Sequence, residues 1–600
     1  MTTSYHLKQF SASYFRKQLP EIVKLAHECF SAEDFRLGLL QLCDRQEFAS
    51  ASLPDGKSIS HAIRIRDCAR NLRSMLAPRA EKLAGFSFAK SIYCIGRHKE
   101  AENLSADFYA DATHLLLGLL DRSAWSSLTE LQCEENQAQG RQAAVQRSTQ
   151  MDQLSESVDA QMRRFAHGLQ EDVVARRQER RKHICRQLGA SQEQFDDWRW
   201  QFDNIQQNPE QIAKLVKLSE TERNSIRDAC KQCLPFGVTP YYLSLMDDRP
   251  ELGFDRAIRA QVFPGERYVE GMQNCSEDRA AYDFMHEGDT SPIDLVTRRY
   301  PAICIFKPFN TCPQICVYCQ RNWEIDDAMA ADAMASPEKV QAALDWIAAH
   351  PAIHEVLITG GDPLAMNNQD FYEILKGVAN IPSIERIRIG SRVLATAPMR
   401  IDDELIAMLS EFRQPGRRQI ALVTHFEHAY EVTPEVISAV ERLRQAGISI
   451  FNQQVYTFFV SRRFEAALLR RTLARAGIEP YYTFNAKGKE ETSDYRVPLA
   501  RLLQEQKEEA RLLPGLSRTD EGVYNVPGMG KNYLRASQHR SLVSILPNGV
   551  RLYEFHPWEK NITQVSAGYI GEDVPLLDYL QRLEKNGENP EDYDSLWYYF

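Results

Sequence analysis

Ile303-Cys-Ile-Phe-Lys-Pro-Phe309-Asn-Thr-Cys312-Pro-Gln-Ile-Cys316-Val-Tyr-Cys319-Gln-Arg321 is the stretch from which the rest of the chain can be read. Its first seven residues have the apolar, β-branched and aromatic character of a strand. The loop that follows crowds three cysteines into eight residues, separated by three residues and then by two. In a reducing compartment such a cluster signals metal ligation or redox chemistry. Thiolates are the soft ligands that iron–sulfur sites select, and a loop this short can wrap a [4Fe–4S] cube. No cysteine follows Cys319. Three ligands leave one iron open, which makes a reactive centre rather than only an electron wire. Structural zinc is the competing reading, but it wants four protein ligands. A zinc ribbon here would have to borrow Cys304, Cys230 or Cys233.

Working outward, short β-branched or aromatic runs alternate with segments of helical period. The runs Ile303–Phe309, Glu355–Thr359, Ile384–Ile389, Ala421–His425, Ile448–Tyr456 and Pro480–Asn485 predict strands. Between them Glu338–Ala349, Asp370–Val378, Asp403–Phe412, Pro434–Gln445 and Arg463–Ala476 predict helices long enough for the crossovers that parallel strands need. The fold class is therefore α/β. Six such units predict an open, partial (β/α)6 barrel with its chemistry at the C-terminal ends of the strands, and a doubly wound sheet is the alternative.

The second strand run ends in Leu357-Ile-Thr-Gly360-Gly361-Asp362-Pro-Leu364. Two glycines permit close backbone approach to a ligand, and the strand-end carbonyls and Asp362 can accept from an ammonium. Farther on, Tyr524-Asn525-Val-Pro527-Gly528-Met-Gly530-Lys531 puts a lysine in a glycine-rich loop with room for a bulky planar adduct. Lysine is the side chain that forms a Schiff base with pyridoxal phosphate. A surface lysine after a turn is the plainer reading of that segment.

Upstream the pattern is helical. Glu21–Cys29 and Phe35–Cys43 carry apolar residues at helical spacing, and His114–Leu120 reads as a buried helical segment. The run Gln132–Gly189 predicts one long amphipathic helix or a helical pair, for packing or oligomerisation. The expected organisation is 1–220 mainly helical, 221–298 a helical lead-in, 299–500 the barrel, and 501–600 a closing segment that carries Lys531. Six hundred residues, 43% hydrophobic and 26% charged, suit a globular protein of more than one domain. A net charge of −10 argues against general nucleic-acid affinity. No apolar run is long enough for a membrane span, and the first residues lack an export signal, so a cytoplasmic location is expected.

The cysteine loop resembles the signature of the radical S-adenosylmethionine (SAM) superfamily, and Gly360–Pro363 looks like its amino-group-binding motif. From about Pro240 to Tyr569 the chain is similar to the lysine 2,3-aminomutase family. The landmarks are Thr239–Leu245, Arg299-Tyr-Pro301, the cysteine loop with Arg321, Gly360–Leu364, Thr424-His-Phe426, Asn452-Gln453, Pro480-Tyr-Tyr482 and Pro527–Lys531. The resemblance implies a [4Fe–4S] cluster on Cys312, Cys316 and Cys319, SAM on the open iron, and Tyr318 against the adenine. It implies Lys531 as the pyridoxal 5'-phosphate lysine, Arg299 on the phosphate and Arg321 on the substrate α-carboxylate. It also implies an electron donor such as flavodoxin or ferredoxin, a small amino-acid substrate and a homo-oligomer.

Departures sharpen the expectation. A second phosphate-side arginine is replaced by Ile303, leaving Lys307 or backbone amides to compensate. Two aspartates that hold lysine's distal ammonium in the family correspond to Lys487 and Asn525, with Lys489 the inward group if the register shifts. A base and an amide favour a distal carboxylate over an ammonium. The pattern resembles glutamate 2,3-aminomutase, which interconverts L-glutamate and β-glutamate after hydrogen abstraction from Cβ. Another amino acid (aspartate, lysine or a larger acid), or a lysine on a protein, is the alternative substrate. His425 and Arg392 are further pocket candidates at strand ends.

Overall fold

The computed structural model describes Tyr5 and residues 10–51, 59–99, 103–123, 139–273, 282–486, 488–556 and 568–600. Its centre is a nine-stranded sheet in strictly sequential order: β1 (Val296–Tyr300), β2 (Ile303–Phe309), β3 (Glu355–Gly360), β4 (Arg386–Gly390), β5 (Gln419–Thr424), β6 (Ser449–Tyr456), β7 (Glu479–Asn485), β8 (Glu521–Val526) and β9 (Gly530–Tyr533). Strands β2 to β8 run parallel, and β1 and β9 are antiparallel edges. A doubly wound sheet requires the strand order to reverse at a switch point, and no reversal occurs. The six expected strands and five expected helices are all present, so the partial (β/α) barrel with a helical N-terminal region is the fold.

Side-chain alternation explains why these segments curl around a lumen. On β3, Val356 and Ile358 are fully buried against the crossover helices, whereas Leu357 and Thr359 face inward and keep some exposure. On β4, Ile387 and Ile389 point outward and Arg388 and Gly390 point in. Period-two patterning puts one face in the apolar layer and the other in the lumen. The crossover helices start at well-formed caps. Ser336, Asp402 and Thr433 each accept a backbone N–H at the first turn of Pro337–Ala348, Asp403–Phe412 and Pro434–Gln445.

Two features depart from the pattern read in the sequence. Glu521–Val526, expected to be loop, is a seventh parallel strand, and Lys531 sits on the return strand of a hairpin rather than in a loop. The helices up to residue 119 share one apolar cluster with the chain's last segment: Phe15, Leu39, Leu72 and Leu115 pack with Tyr553, Leu580 and Trp597. Buried Asp111 and Arg551 tie the two ends with paired hydrogen bonds of 2.8 Å. Part of the run Gln132–Gly189 falls outside the described residues, and the remainder forms a helical pair, Gly140–Met162 and Glu171–Leu188.

Candidate active site

The cysteine loop leaves β2 and is fastened from several directions by backbone hydrogen bonds. The amide of Ile315 donates to Gly237 O (3.1 Å), Val317 N to Gln261 O (2.9 Å), and Met329 N to Cys312 O (3.2 Å). The glycine pair at the end of β3 completes the clamp: Gly361 N donates to Phe309 O and Asp362 N to Thr311 O, both at 2.8 Å. A Cβ on Gly361 would lie 2.0 Å from Thr311 O, so only glycine permits this contact. The glycine pair is thus packed directly against the cysteine loop. The Asp362 carboxylate accepts from Leu364 N (3.0 Å) and Arg392 N (2.8 Å), and burial pushes it up to about 6. Its oxygens hold the turn and the start of the next loop.

Burial, together with Asp362, Cys319 and Cys316, raises the Cys312 thiol well above its usual range. Burial likewise pushes Cys316 up to about 11, against the pull of Arg392, whose Nη1 donates to its sulfur at 2.8 Å. Arg392 also donates to Glu431 (2.7 Å), Tyr242 Oη (3.2 Å) and Gln261. It thus carries a buried positive charge to the loop. Burial and Arg392 hold His425 neutral, with its proton affinity lowered to about 4. Glu427 is pushed up to about 8 by burial.

Thiols that resist ionisation need a strongly positive partner to become ligands, and a cluster iron supplies that charge. Among the described residues, no three His, Cys, Asp or Glu side chains converge on one metal ion. Cys304 is buried in β2, while Cys230 and Cys233 are exposed. The surroundings also fit a second ligand. The buried atoms Gln261 Nε2, Glu427 Oε1 and Thr424 Oγ1 have no hydrogen-bond partner among the described residues. Tyr318 donates to Gln261 at 3.1 Å and lies close to Glu427. Unsatisfied polar atoms at one place in a folded core are expected where a polar ligand completes them.

The second half of the site lies at the seam of the open barrel. No ladder joins β1 to β9 among the described residues, but the two edges meet through side chains. The Lys531 ammonium sits 4.8 Å from the Tyr300 ring centre and 5.2 Å from that of Tyr482. A Cβ on Gly530 would come within 2.8 Å of Tyr300 Oη. Asn525 is directly opposite Lys531 in the hairpin. Arg299, next to Tyr300, bonds Thr290 Oγ1 (3.2 Å) and Met285 O (3.0 Å).

Arg321 pairs with Glu324 and lies 3.5 Å from Glu287, and its buried Nε has no partner among the described residues. Lys307 faces the same two acids at 3.4 and 3.5 Å. Burial raises Glu287, but Arg321, Lys307 and Arg299 outweigh it and hold the carboxyl below its usual value. Ile303 lies at the start of β2, whereas Lys307 lies near its end.

The substrate end is partly visible. Lys487 lies outside the described residues. Lys489 is almost fully buried: it donates to Cys319 O (3.1 Å) and Asn322 Oδ1 (2.8 Å) and pairs with Glu491 at 2.7 Å. Sequence reasoning missed Glu287, Glu324, Glu427 and Glu431. For the last two a signal existed, because two acids four residues apart directly after Thr424-His-Phe426 sit at a strand end. Glu287, in an irregular segment, had none.

Residues 306–460 match the family model for the radical SAM superfamily. An uncharacterized KamA family protein of Methanocaldococcus jannaschii is 41% identical over 97% of this chain and 96% of its own length. A glutamate 2,3-aminomutase of Clostridioides difficile is 32% identical over 51% of this chain and 69% of its own. An L-lysine 2,3-aminomutase of Bacillus subtilis is 31% identical over 61% and 73%. With the match to the archaeal protein running nearly end to end, helical region included, and the superfamily match centred on the cysteine loop and barrel, the chain belongs to the KamA, or lysine 2,3-aminomutase-like, family of radical SAM proteins.

Proposed function

We propose that the protein is a pyridoxal phosphate-dependent amino acid 2,3-aminomutase whose substrate is acidic, with L-glutamate and β-glutamate as the interconverted pair. The family supports the coarser reading, a radical SAM, aminomutase-like enzyme acting on an amino acid. What supports the finer one is that three cations, Arg299, Lys307 and Arg321, gather about two acids, Glu287 and Glu324, and that the amide of Asn525 lies opposite Lys531.

When bound, the cluster with SAM supplies a 5′-deoxyadenosyl radical, and pyridoxal phosphate supplies a conjugated ring on the migrating nitrogen. Cys312, Cys316 and Cys319 would hold the cluster, and Lys531, beside the Tyr300 and Tyr482 rings, would hold the pyridoxal group. Arg321 offers its unpartnered Nε to the substrate carboxylate in the planar, charge-assisted geometry that arginine favours. Arg299 is the phosphate-side arginine, and Lys307 can compensate for the arginine absent at Ile303. Neutral His425 and the surrounding buried side chains exclude water, which radical chemistry requires more than acid–base groups.

A second reading, a different amino acid including lysine, draws on Glu287 and Glu324, which could receive an ammonium, and on the lysine enzyme's 31% identity. Anaerobic turnover with glutamate and lysine supplied in parallel, with SAM, pyridoxal phosphate and reductant, separates the two. Formation of β-glutamate is expected; β-lysine with no glutamate turnover overturns the acidic assignment.

A further inference from the structure

Behind the Lys531 hairpin, at the opposite end of β8 from the cysteine loop, lies a cavity of about 290 Å³. Its walls carry Arg470, Lys507, Arg518 and Arg535 against one carboxylate, Asp520. Arg470 is matched by Asp520 and by Glu505 of the adjoining turn, and Arg535 lies 3.7 Å from Glu521, so Lys507 and Arg518 are the cations in the wall without a salt-bridge carboxylate among the described residues, in a chain whose net charge is −10. Asp520 does not neutralise the cavity, because both its oxygens are taken by Arg470 at 2.8 and 3.0 Å. The outer cations have spare donors. Arg518 uses Nε on Leu513 O, and Arg535 uses Nη2 on Asp520 O. Lys507 holds its proton less tightly than an ordinary lysine, through burial first and then Arg540 and Arg70, against the opposing pull of Asp67.

A neutral group points the same way. Gln506, also in the wall, has both its amide nitrogen and its amide oxygen buried without a hydrogen-bond partner among the described residues. An unmade pair of this kind is costly unless a ligand or water supplies the bonds. Gln506 and Lys507 belong to a π-helical turn, Glu505–Glu509, a rare geometry concentrated at functional sites.

We propose that this cavity is a second ligand site, distinct from the catalytic one, which binds a small phosphate-bearing anion. Phosphate suits the walls on two counts. Arginine forks pair with its oxygens in parallel, charge-assisted bonds, and its protonated oxygen both donates and accepts, as Gln506 requires. Asp520 immediately precedes β8, and Arg535 closely follows β9. An anion held by Arg535 on one side and by Arg518 and the π-turn on the other therefore fastens the base of the hairpin that carries Lys531. Binding itself does not depend on the assignment of Lys531 to pyridoxal phosphate.

The test titrates inorganic phosphate into the full-length protein at constant ionic strength, by calorimetry and by hydrogen exchange over residues 521–533. The wild type is expected to bind phosphate and to slow exchange in that hairpin. Arg518→Glu, at an exposed position, is expected to weaken binding at least tenfold and to abolish the protection. Gln506→Leu keeps its volume against Gly522, so it is expected to be no less stable without phosphate and to bind it more weakly. Phosphate bound equally by wild type and Arg518→Glu, or bound without protection of the hairpin, overturns the proposal. So does the absence of binding to the wild type.

Discussion

The cysteine loop and the Lys531 hairpin are both short segments at barrel strand ends, yet they are held in opposite ways. The loop and the strand end before it are clamped by backbone bonds to Gly237, Gln261, Gly361 and Asp362, and by a buried arginine. The hairpin's outer strand, β9, is a sheet edge bonded to β8, with Lys531 and Gly530 approaching Tyr300 of β1. The comparison teaches that one half of the site is fastened by backbone bonds from several elements, whereas the other stands at the edge of the sheet. Metal chemistry needs fixed ligands. A lysine that must form and release a covalent bond to a bulky ring benefits from a compliant edge.

Breaking the clamp should cost most. Arg392→Met leaves Glu431 buried without its partner and removes the cation at Cys316, so a loss of about 3–5 kcal/mol in unfolding free energy is expected. Chemical denaturation measures it, and a loss below 1 kcal/mol would mean the arginine does not anchor the loop. Gly361→Ala forces a methyl group into the Thr311 carbonyl and should cost roughly 3 kcal/mol, together with lowered iron content after anaerobic reconstitution.

Glu427 gives a pH test of the same half. Its folded-state value is raised from 4.5 to about 8 by burial. The stability linked to its neutral form is therefore complete below about pH 4.5 and is lost as the pH rises toward 8. Glu427→Gln cannot ionise, so between those limits it should gain on the wild type by up to roughly 1.4 kcal/mol per pH unit. Parallel denaturation curves at pH 5, 6.5 and 8 check this, and a constant gap between the proteins would contradict it.

The smallest structural effect is expected at the hairpin. Lys531→Ala should change stability by about 1 kcal/mol or less, while abolishing the pyridoxal absorbance at roughly 420 nm and leaving the cluster in place. Unchanged absorbance would show that a different lysine carries the cofactor.

What could be read from the sequence divides along the same line. The cysteine spacing and the strand–helix alternation are local signals, and they anticipated the barrel and the loop. Asn525 and Lys531 were visible as residues but not as cross-strand partners, because turn chemistry at Pro527-Gly528 hid the strands on either side. Lys489 is buried through contacts with Cys319 and Asn322, more than 160 positions away. Periodicity carries no information over such a distance. The same holds for the union of the N-terminal helices with Trp597 and for the Asp111–Arg551 pair. The cavity behind the hairpin is likewise built from side chains whose individual positions look like ordinary surface charge.

The most direct measurement is made on anaerobically reconstituted protein: iron and acid-labile sulfide content, followed by SAM cleavage after reduction. Equal iron and sulfide, with 5′-deoxyadenosine formed in the wild type and abolished in Cys316→Ala, is the expected result. Zinc without sulfide, or a cluster that leaves SAM intact, would contradict the reading of Cys312, Cys316 and Cys319 as the seat of radical chemistry.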